Sequence, residues 1–337
     1  MGRISNAHLK GLSDASEVAR IAAVCDTRED VVKKAADDVG ARAYTDYRAL
    51  LVDPEVQVVD LPLPHNLHYP MARHALESGK HVLVEKPLAP TALECKELID
   101  LARLRSLTLG VAENTPFVSA YLAVRSLLQS GRIGQPRLIR TFISGSEVDR
   151  LTDISSWKGR RAGTVGGAIL DAGPHSFYLL KWLFGEIDTV QAVANKVVDV
   201  SEVEDNAIVT GQLKSGPFFR TEYSFTAEIP WGERLEIYGS KGSIILDQLV
   251  NPPALHYRSK EDVEGVPVGA VEFQPDRVEH DPKGWKFKSI AAGVSEFARA
   301  VAGGSPAPVR AEDGLYTIKV VEAAYASVEA GGISVRV

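Results

Sequence analysis

The stretch His81-Val82-Leu83-Val84-Glu85-Lys86-Pro87 places a lysine directly after a run of apolar β-formers. Such a run predicts a buried strand, and in an open α/β sheet ligands bind outside the carboxyl ends of the strands. Lys86 is therefore a candidate ligand contact. A second pattern opens the chain: Gly2-Arg3-Ile4-Ser5-Asn6-Ala7-His8 reads as the latter half of a glycine-rich dinucleotide loop. In such a loop backbone N–H groups at a helix N-terminus meet a pyrophosphate. Asp26 follows about 20 residues further on at the end of an apolar run, where a carboxylate accepts hydrogen bonds from the adenosine ribose and repels a 2′-phosphate. Taken alone, Asp26 also suits a strand-end turn ahead of Thr27-Arg28-Glu29. The pattern favours NAD, and Arg28 keeps NADP open.

The elements that must position these groups follow from periodicity. Between residues 18 and 114, short apolar runs alternate with amphipathic stretches, the pattern of parallel strands joined by crossover helices. Strands are expected at 20–25, 41–44, 56–61, 81–84 and 108–112, with helices near 29–39, 68–78 and 92–105. Gly40 and Gly79 stand where helix C-caps belong. Beyond Pro116 a helix at 119–129 leads into strand-like runs at 137–144, 189–198, 207–214, 218–226, 234–238 and 243–246. The later runs lack intervening helices, which predicts a mostly antiparallel sheet. Helices are expected at 167–184, 289–301 and 312–329. The expected organisation is α/β: a Rossmann domain over 1–117 with its first strand missing, and an α/β domain with an open, mostly antiparallel sheet over 118–337.

The missing strand has a physical consequence, because the first strand is central in the order 3-2-1-4-5-6. Its absence removes a row of backbone partners from both 20–25 and 56–61, at roughly 1–3 kcal/mol per unsatisfied group. The expectation is that the natural start lies upstream of Met1.

Composition narrows the function class. The chain has 337 residues, 45% hydrophobic and 24% charged, with a formal net charge of -6. Its Lys and Arg residues are scattered singly, which gives no basic stripe for nucleic acid or an anionic membrane. No apolar run approaches the roughly 18–20 residues of a membrane span, and no signal-peptide layout is present. A cytoplasmic protein with a small-molecule ligand is expected. Cys25 and Cys95 are the only cysteines, too few for a disulfide framework. His65, His68, His74 and His81 cluster, but zinc sites draw on a fuller ligand set, so no metal is expected.

Further motifs extend these: Pro64-His65-Asn66-Leu67-His68, Ser130-Gly131-Arg132-Ile133-Gly134, Trp157, Gly166-Gly167-Ala168-Ile169-Leu170-Asp171-Ala172-Gly173-Pro174-His175, Val203-Glu204-Asp205-Asn206-Ala207 and Tyr238-Gly239-Ser240-Lys241-Gly242. In this order the chain resembles the Gfo/Idh/MocA family of glucose-fructose oxidoreductase, inositol dehydrogenase and rhizopine-catabolism proteins, over nearly its whole length. The resemblance implies NAD or NADP, a sugar-like substrate in a cleft between two domains, and a homodimer or homotetramer formed through the C-terminal sheet. It assigns Lys86, Asp171 and His175 to catalysis. Gly2, Arg3, Ile4, Asp26, Arg28, Pro64, His65, His68, Glu85, Lys86 and Asn114 are assigned to the cofactor, and Lys86, Trp157, Asp171, His175 and Tyr178 to substrate.

The roles are chemically coherent. Residues four apart on a helix share a face, so Asp171 can orient His175. A histidine can take the proton that a secondary alcohol loses as its carbon gives up hydride, while the Lys86 ammonium stabilises the developing alkoxide. Lys86 and His175 are expected to converge on one carbinol, and the peptide before Pro87 is a candidate for the cis form. Separately, a strand-end lysine is commonly solvated and a helical Asp/His pair commonly structural. The sequence departs from the family at Asn114-Thr115-Pro116-Phe117 and at Tyr178, where other members carry an Arg-Phe pair and an Asp. Tyr178 is better explained by packing on Trp182 than by substrate contact, and large aromatics such as Trp157 and Trp231 more often take core positions than form a wall against a sugar ring. The leading expectation is hydride transfer from a secondary alcohol of a sugar, cyclitol or glycoside. Its alternatives are redox-assisted glycoside cleavage and a non-catalytic, cofactor-binding regulator.

Overall fold

The alternating pattern of the first third folds as parallel strands and helices in a computed structural model, which describes residues 2, 4–153, 155–250, 253–259 and 284–337 apart from the Trp285 side chain. In chain order come α1 (Ser5–Asp14), β1 (Ala23–Cys25), α2 (Glu29–Val39), β2 (Arg42–Tyr44) and α3 (Tyr47–Leu51). They are followed by β3 (Val58–Leu61), α4 (His65–Glu77), β4 (His81–Glu85), α5 (Ala92–Leu104) and β5 (Leu109–Ala112). The next set is α6 (Ser119–Gln129), β6 (Pro136–Ser144), α7 (Val148–Thr152), α8 (Arg161–Thr164) and α9 (Ala168–Phe184). Six strands then run β7 (Ile187–Asn195), β8 (Asn206–Leu213), β9 (Phe218–Ser224), β10 (Gly232–Gly239), β11 (Gly242–Asp247) and β12 (Ala254–Ser259). The chain closes with α10 (Gly284–Ala302), α11 (Ala311–Glu329) and β13 (Val335–Arg336). No helix among the described residues is long and apolar enough to cross a membrane.

Two units form: Met1–Asn114 with Phe287–Tyr316, and Thr115–Lys286 with Thr317–Val337. In the first, β1 pairs in parallel with β2, and β3, β4 and β5 form a separate parallel set in that order. β1 and β3 each have one hydrogen-bonded neighbour among the described residues. Helix α1 packs on both sets. Ala7 joins a cluster of Leu83, Ile290, Val294, Phe297 and Ala307, while Leu9 lies against Val24, Val32 and Ala36. At Gly11 the approach to α10 is so close that a Cβ would stand 2.3 Å from the Ala291 carbonyl oxygen. This contact explains a difference from the expected boundary at 117/118. The apolar face of α10 finds its partner on α1 and β4, so 287–316 closes with the N-terminal unit.

In the second unit eight strands are ordered β12-β11-β10-β6-β9-β8-β7-β13, all pairs antiparallel except β6 with β9. Alternation is clean along β9, where Phe219, Thr221 and Tyr223 point inward and Phe218 and Arg220 outward. The inner face is covered by α9, and the Ser176, Thr221 and Thr141 hydroxyls form a buried chain, 3.2 Å and 2.6 Å apart.

Element limits differ from expectation where a local hydrogen bond intervenes. Helix α4 begins at His65 and not near His68, because Pro64 holds φ at -59° and its carbonyl accepts the Leu67 N–H. β7 stops at Asn195, since the Val197 and Val198 amides turn onto the Asp205 carboxylate. The short α3 was not foreseen; Asp46 caps it by accepting the Arg48 N–H at 2.9 Å. Nor were β12 and β13.

Candidate active site

Strand β4 delivers Glu85 and Lys86 to its carboxyl end, and the Lys86-Pro87 peptide is cis. The Glu85 side chain is buried and bound on both oxygens: Oε2 accepts the Lys86 N–H at 3.0 Å, and Oε1 lies 3.1 Å from His8 Nε2. The other nitrogen of His8, Nδ1, is 2.8 Å from Asp60 Oδ2. With a carboxylate at each ring nitrogen, His8 satisfies both only as an imidazolium. Burial of this residue, 1% exposed, opposes the charge, but Asp60 and Glu85 outweigh it and raise the pKa to about 10.

A histidine pKa raised in this way adds stability that is complete below the unfolded value of 6.5 and is lost as pH climbs through about 10. Denaturant midpoints measured between about pH 6 and 11 are therefore expected to fall on the alkaline side, and His8→Asn to remove that part of the decline. Equal slopes in both proteins would mean that another group titrates.

The remaining residues of the expected cofactor set in this unit are tied into the fold. His68 is fully buried, with Nδ1 2.5 Å from the Pro87 carbonyl oxygen and Nε2 2.9 Å from that of Leu63. Burial pushes its pKa down, against the two carbonyls. Both nitrogens face main chain, so His68 braces the segment after Lys86. His65 is buried edge-on to His68 with ring centroids 5.7 Å apart, and Pro64 is the N-cap of α4. His81 Nδ1 accepts the Thr108 N–H at 2.9 Å. Asn114 is buried and donates from Nδ2 to Ser289 Oγ at 2.8 Å.

The dinucleotide half-loop leads into α1. Arg3 lies outside the described residues. Gly2 donates its N–H to Ser5 Oγ at 3.1 Å, and Ile4 is the N-cap residue. Asp26 follows β1 and accepts from Arg28 N at 3.0 Å and Arg28 Nε at 3.2 Å. These residues fit a dinucleotide. A Cβ at Gly2 would meet nothing within 4 Å. The first turn of α1 carries no acidic side chain, unlike those of α2 and α5, which leaves its positive end available to an anion.

In the second unit, Asp171 and His175 lie one turn apart on α9, which is buried on all sides from Ala168 to Leu180. The helix is fixed by Glu204, whose carboxylate accepts the Gly167 and Ile169 N–H groups at 3.2 Å and 3.1 Å and the Tyr325 hydroxyl at 2.7 Å. Burial, followed by the Glu204 charge, pushes the Tyr325 phenol far up. A Cβ at Gly167 would lie 1.8 Å from the Glu204 carbonyl oxygen, so only glycine lets the two segments meet. Asp171 Oδ2 is 2.5 Å from Lys158 Nζ. The Lys158 ammonium also lies 5.8 Å from the Trp157 ring and 5.4 Å from that of Phe225. Tyr178 is buried on α9.

Sequence reasoning missed His8, Lys158 and the capping role of Glu204. Asp60 carried a signal for the first: a carboxylate set between Val59 and Leu61 in an apolar strand must find a partner.

Comparison with known proteins agrees with this architecture. Residues 1–113 match the profile described as oxidoreductase family, NAD-binding Rossmann fold, and residues 121–245 match the GFO/IDH/MocA C-terminal domain. A dTDP-3,4-didehydro-2,6-dideoxy-alpha-D-glucose 3-reductase of Streptomyces violaceoruber is 36% identical over 292 residues, 83% of this chain and 77% of the relative. A myo-inositol 2-dehydrogenase of Thermotoga maritima is 27% identical over 74% of each chain. A levoglucosan dehydrogenase solved with NADH and levoglucosan shares the fold at a TM-score of 0.87 and 22% identity, covering 100% of this chain and 97% of the other. With both halves matched and a relative of that identity spanning most of it, the chain belongs to the GFO/IDH/MocA oxidoreductase family, with an NAD-binding Rossmann domain at its N-terminal end.

Proposed function

We propose that the protein is an NAD-dependent dehydrogenase acting on a secondary alcohol of a sugar, cyclitol or glycoside. One observation carries the reading: Lys86 stands at the carboxyl end of β4 in an NAD-binding Rossmann domain. Relatives named for a sugar-nucleotide reduction and an inositol oxidation support the substrate class, since the two are one reaction in opposite directions.

When bound, NAD would supply the hydride acceptor for oxidation of the carbinol to a carbonyl. Asp26 would hold the adenosine ribose, and the α1 terminus at Gly2 and Ile4 would hold the pyrophosphate. His175 takes the hydroxyl proton as the C–H bond breaks. The Lys86 ammonium stabilises negative charge on the same oxygen. Asp171 orients His175, and Lys158 offsets the Asp171 charge so that the helix is not left with an uncompensated carboxylate. Trp157 and Tyr178 complete the proposed substrate set. A cytoplasmic homodimer or homotetramer through the outer sheet face is part of this reading, supported by exposed Leu138 opposite Phe218 and Val193 opposite Ile208.

The test is to offer the purified chain NAD with a panel of sugars, cyclitols and glycosides and to follow reduced cofactor. Asp26→Ala is expected to weaken NAD binding by about 10- to 100-fold, the loss of a charged hydrogen bond, and to narrow the preference over NADP. Unchanged NAD affinity in Asp26→Ala would remove the ribose assignment. A wild type that binds NAD yet oxidises no member of the panel would overturn the dehydrogenase reading.

A further inference from the structure

His8 sits in the first helix of the NAD-binding domain, with both ring nitrogens turned to carboxylates. Its two nitrogens meet Asp60 on β3 and Glu85 on β4 at 2.8 Å and 3.1 Å. The second Glu85 oxygen receives the backbone N–H of Lys86 at 3.0 Å. Four residues from three elements are thus linked, from Asp60 through His8 and Glu85 to the peptide that carries the lysine. Burying two carboxylates and an imidazole costs several kcal/mol for each unpaired ion, so an apolar trio would serve stability as well or better. A charged trio at this place gives direction, because the Glu85 carboxylate can turn only as far as its hydrogen bonds to His8 and Lys86 N allow.

We propose that His8 is a positioning residue for Lys86: held by Asp60, its imidazole orients the Glu85 carboxylate, which in turn fixes the main chain from which the Lys86 side chain is presented. The inference rests on the reading that Lys86 acts in hydride transfer. It adds that α1, whose N-terminus serves the pyrophosphate, also sets the lysine through its first-turn histidine. Cofactor grip and lysine placement then share one helix.

Two substitutions separate positioning from bulk stability. In His8→Asn the amide nitrogen takes the place of Nδ1, so the Asp60 contact survives and the Glu85 contact is lost. In His8→Gln the amide reaches the place of Nε2 and restores the donor to Glu85. Both remove the ring charge and are expected to lower the melting temperature alike. His8→Asn should lower kcat about tenfold or more with KM values within about threefold of wild type, whereas His8→Gln should recover most of that loss. Equal kcat in the two variants, or wild-type kcat in His8→Asn, would overturn the proposal.

A second readout does not depend on turnover. After reductive methylation with ¹³C-formaldehyde, the dimethyl-Lys86 NMR signal, assigned by its loss in Lys86→Arg, should move in His8→Asn and hold its position in His8→Gln. If Lys86→Met keeps wild-type activity, the reading of Lys86 as a catalytic residue fails, and this signal still decides whether His8 sets the lysine. Should His8→Asn fail to fold, Glu85→Gln removes the same orienting charge and is expected to shift the signal in its place; an unmoved signal there overturns the proposal.

Discussion

Replacing Lys86 by methionine is expected to lower kcat by about 10²- to 10³-fold, the loss typical when one group stabilising a developing oxyanion is removed from a water-poor site. Methionine keeps the unbranched stem and removes the ammonium. The substitution therefore tests charge and not packing, at a residue that is only partly buried while its neighbours Glu85 and Pro87 are buried. NAD affinity should change little if, as proposed, Gly2, Ile4 and Asp26 hold the pyrophosphate and ribose. Initial rates of NADH formation against saturating alcohol, alongside NAD titration of the same preparation, measure both. A Lys86→Met enzyme turning over within about threefold of wild type would remove the electrostatic role and with it the main support for the proposed chemistry.

His175→Asn should cost about 10²- to 10⁴-fold in kcat, the range for a lost general base. Asparagine keeps a polar side chain of modest size on α9, which matters because this helix is buried on every side and an apolar replacement would alter its packing against β8 and β9 as well as its chemistry. The Glu204 cap and the Lys158 pairing of Asp171 do not depend on the imidazole, so the melting temperature is expected to fall by no more than a few degrees. Loss of activity with the melting temperature retained identifies a chemical role. Activity close to wild type would leave His175 as a helix residue of the core, and the proton would need another acceptor.

Reading from residues to elements went furthest where the information is local. Helices α2 and α6 run over 29–39 and 119–129 as periodicity implied, because an apolar stripe and a terminal Gly40 or Pro116 are legible within a dozen residues. The strand-end position of Lys86 was legible for the same reason, since a β-run and its terminus are adjacent in the chain. Limits shifted where a distant carboxylate took over backbone amides, as Asp205 did at Val197 and Val198.

Pairings across long sequence separations were set by packing. His8 meets Asp60 and Glu85 across 52 and 77 residues, and Tyr325 meets Glu204 across 121. Sequence fixes such groups as polar residues in apolar surroundings, which says that a partner is required and not which one. The choice falls to the packing of α1 between the two strand sets and of α11 beside the start of α9. The same holds for Phe287–Tyr316, which returns to the N-terminal unit because its apolar face matches α1 and β4. Type, period and strand-end chemistry are properties of neighbours along the chain. Which buried charge compensates which, and which helix closes which core, depend on shapes that exist only once the elements have been brought together.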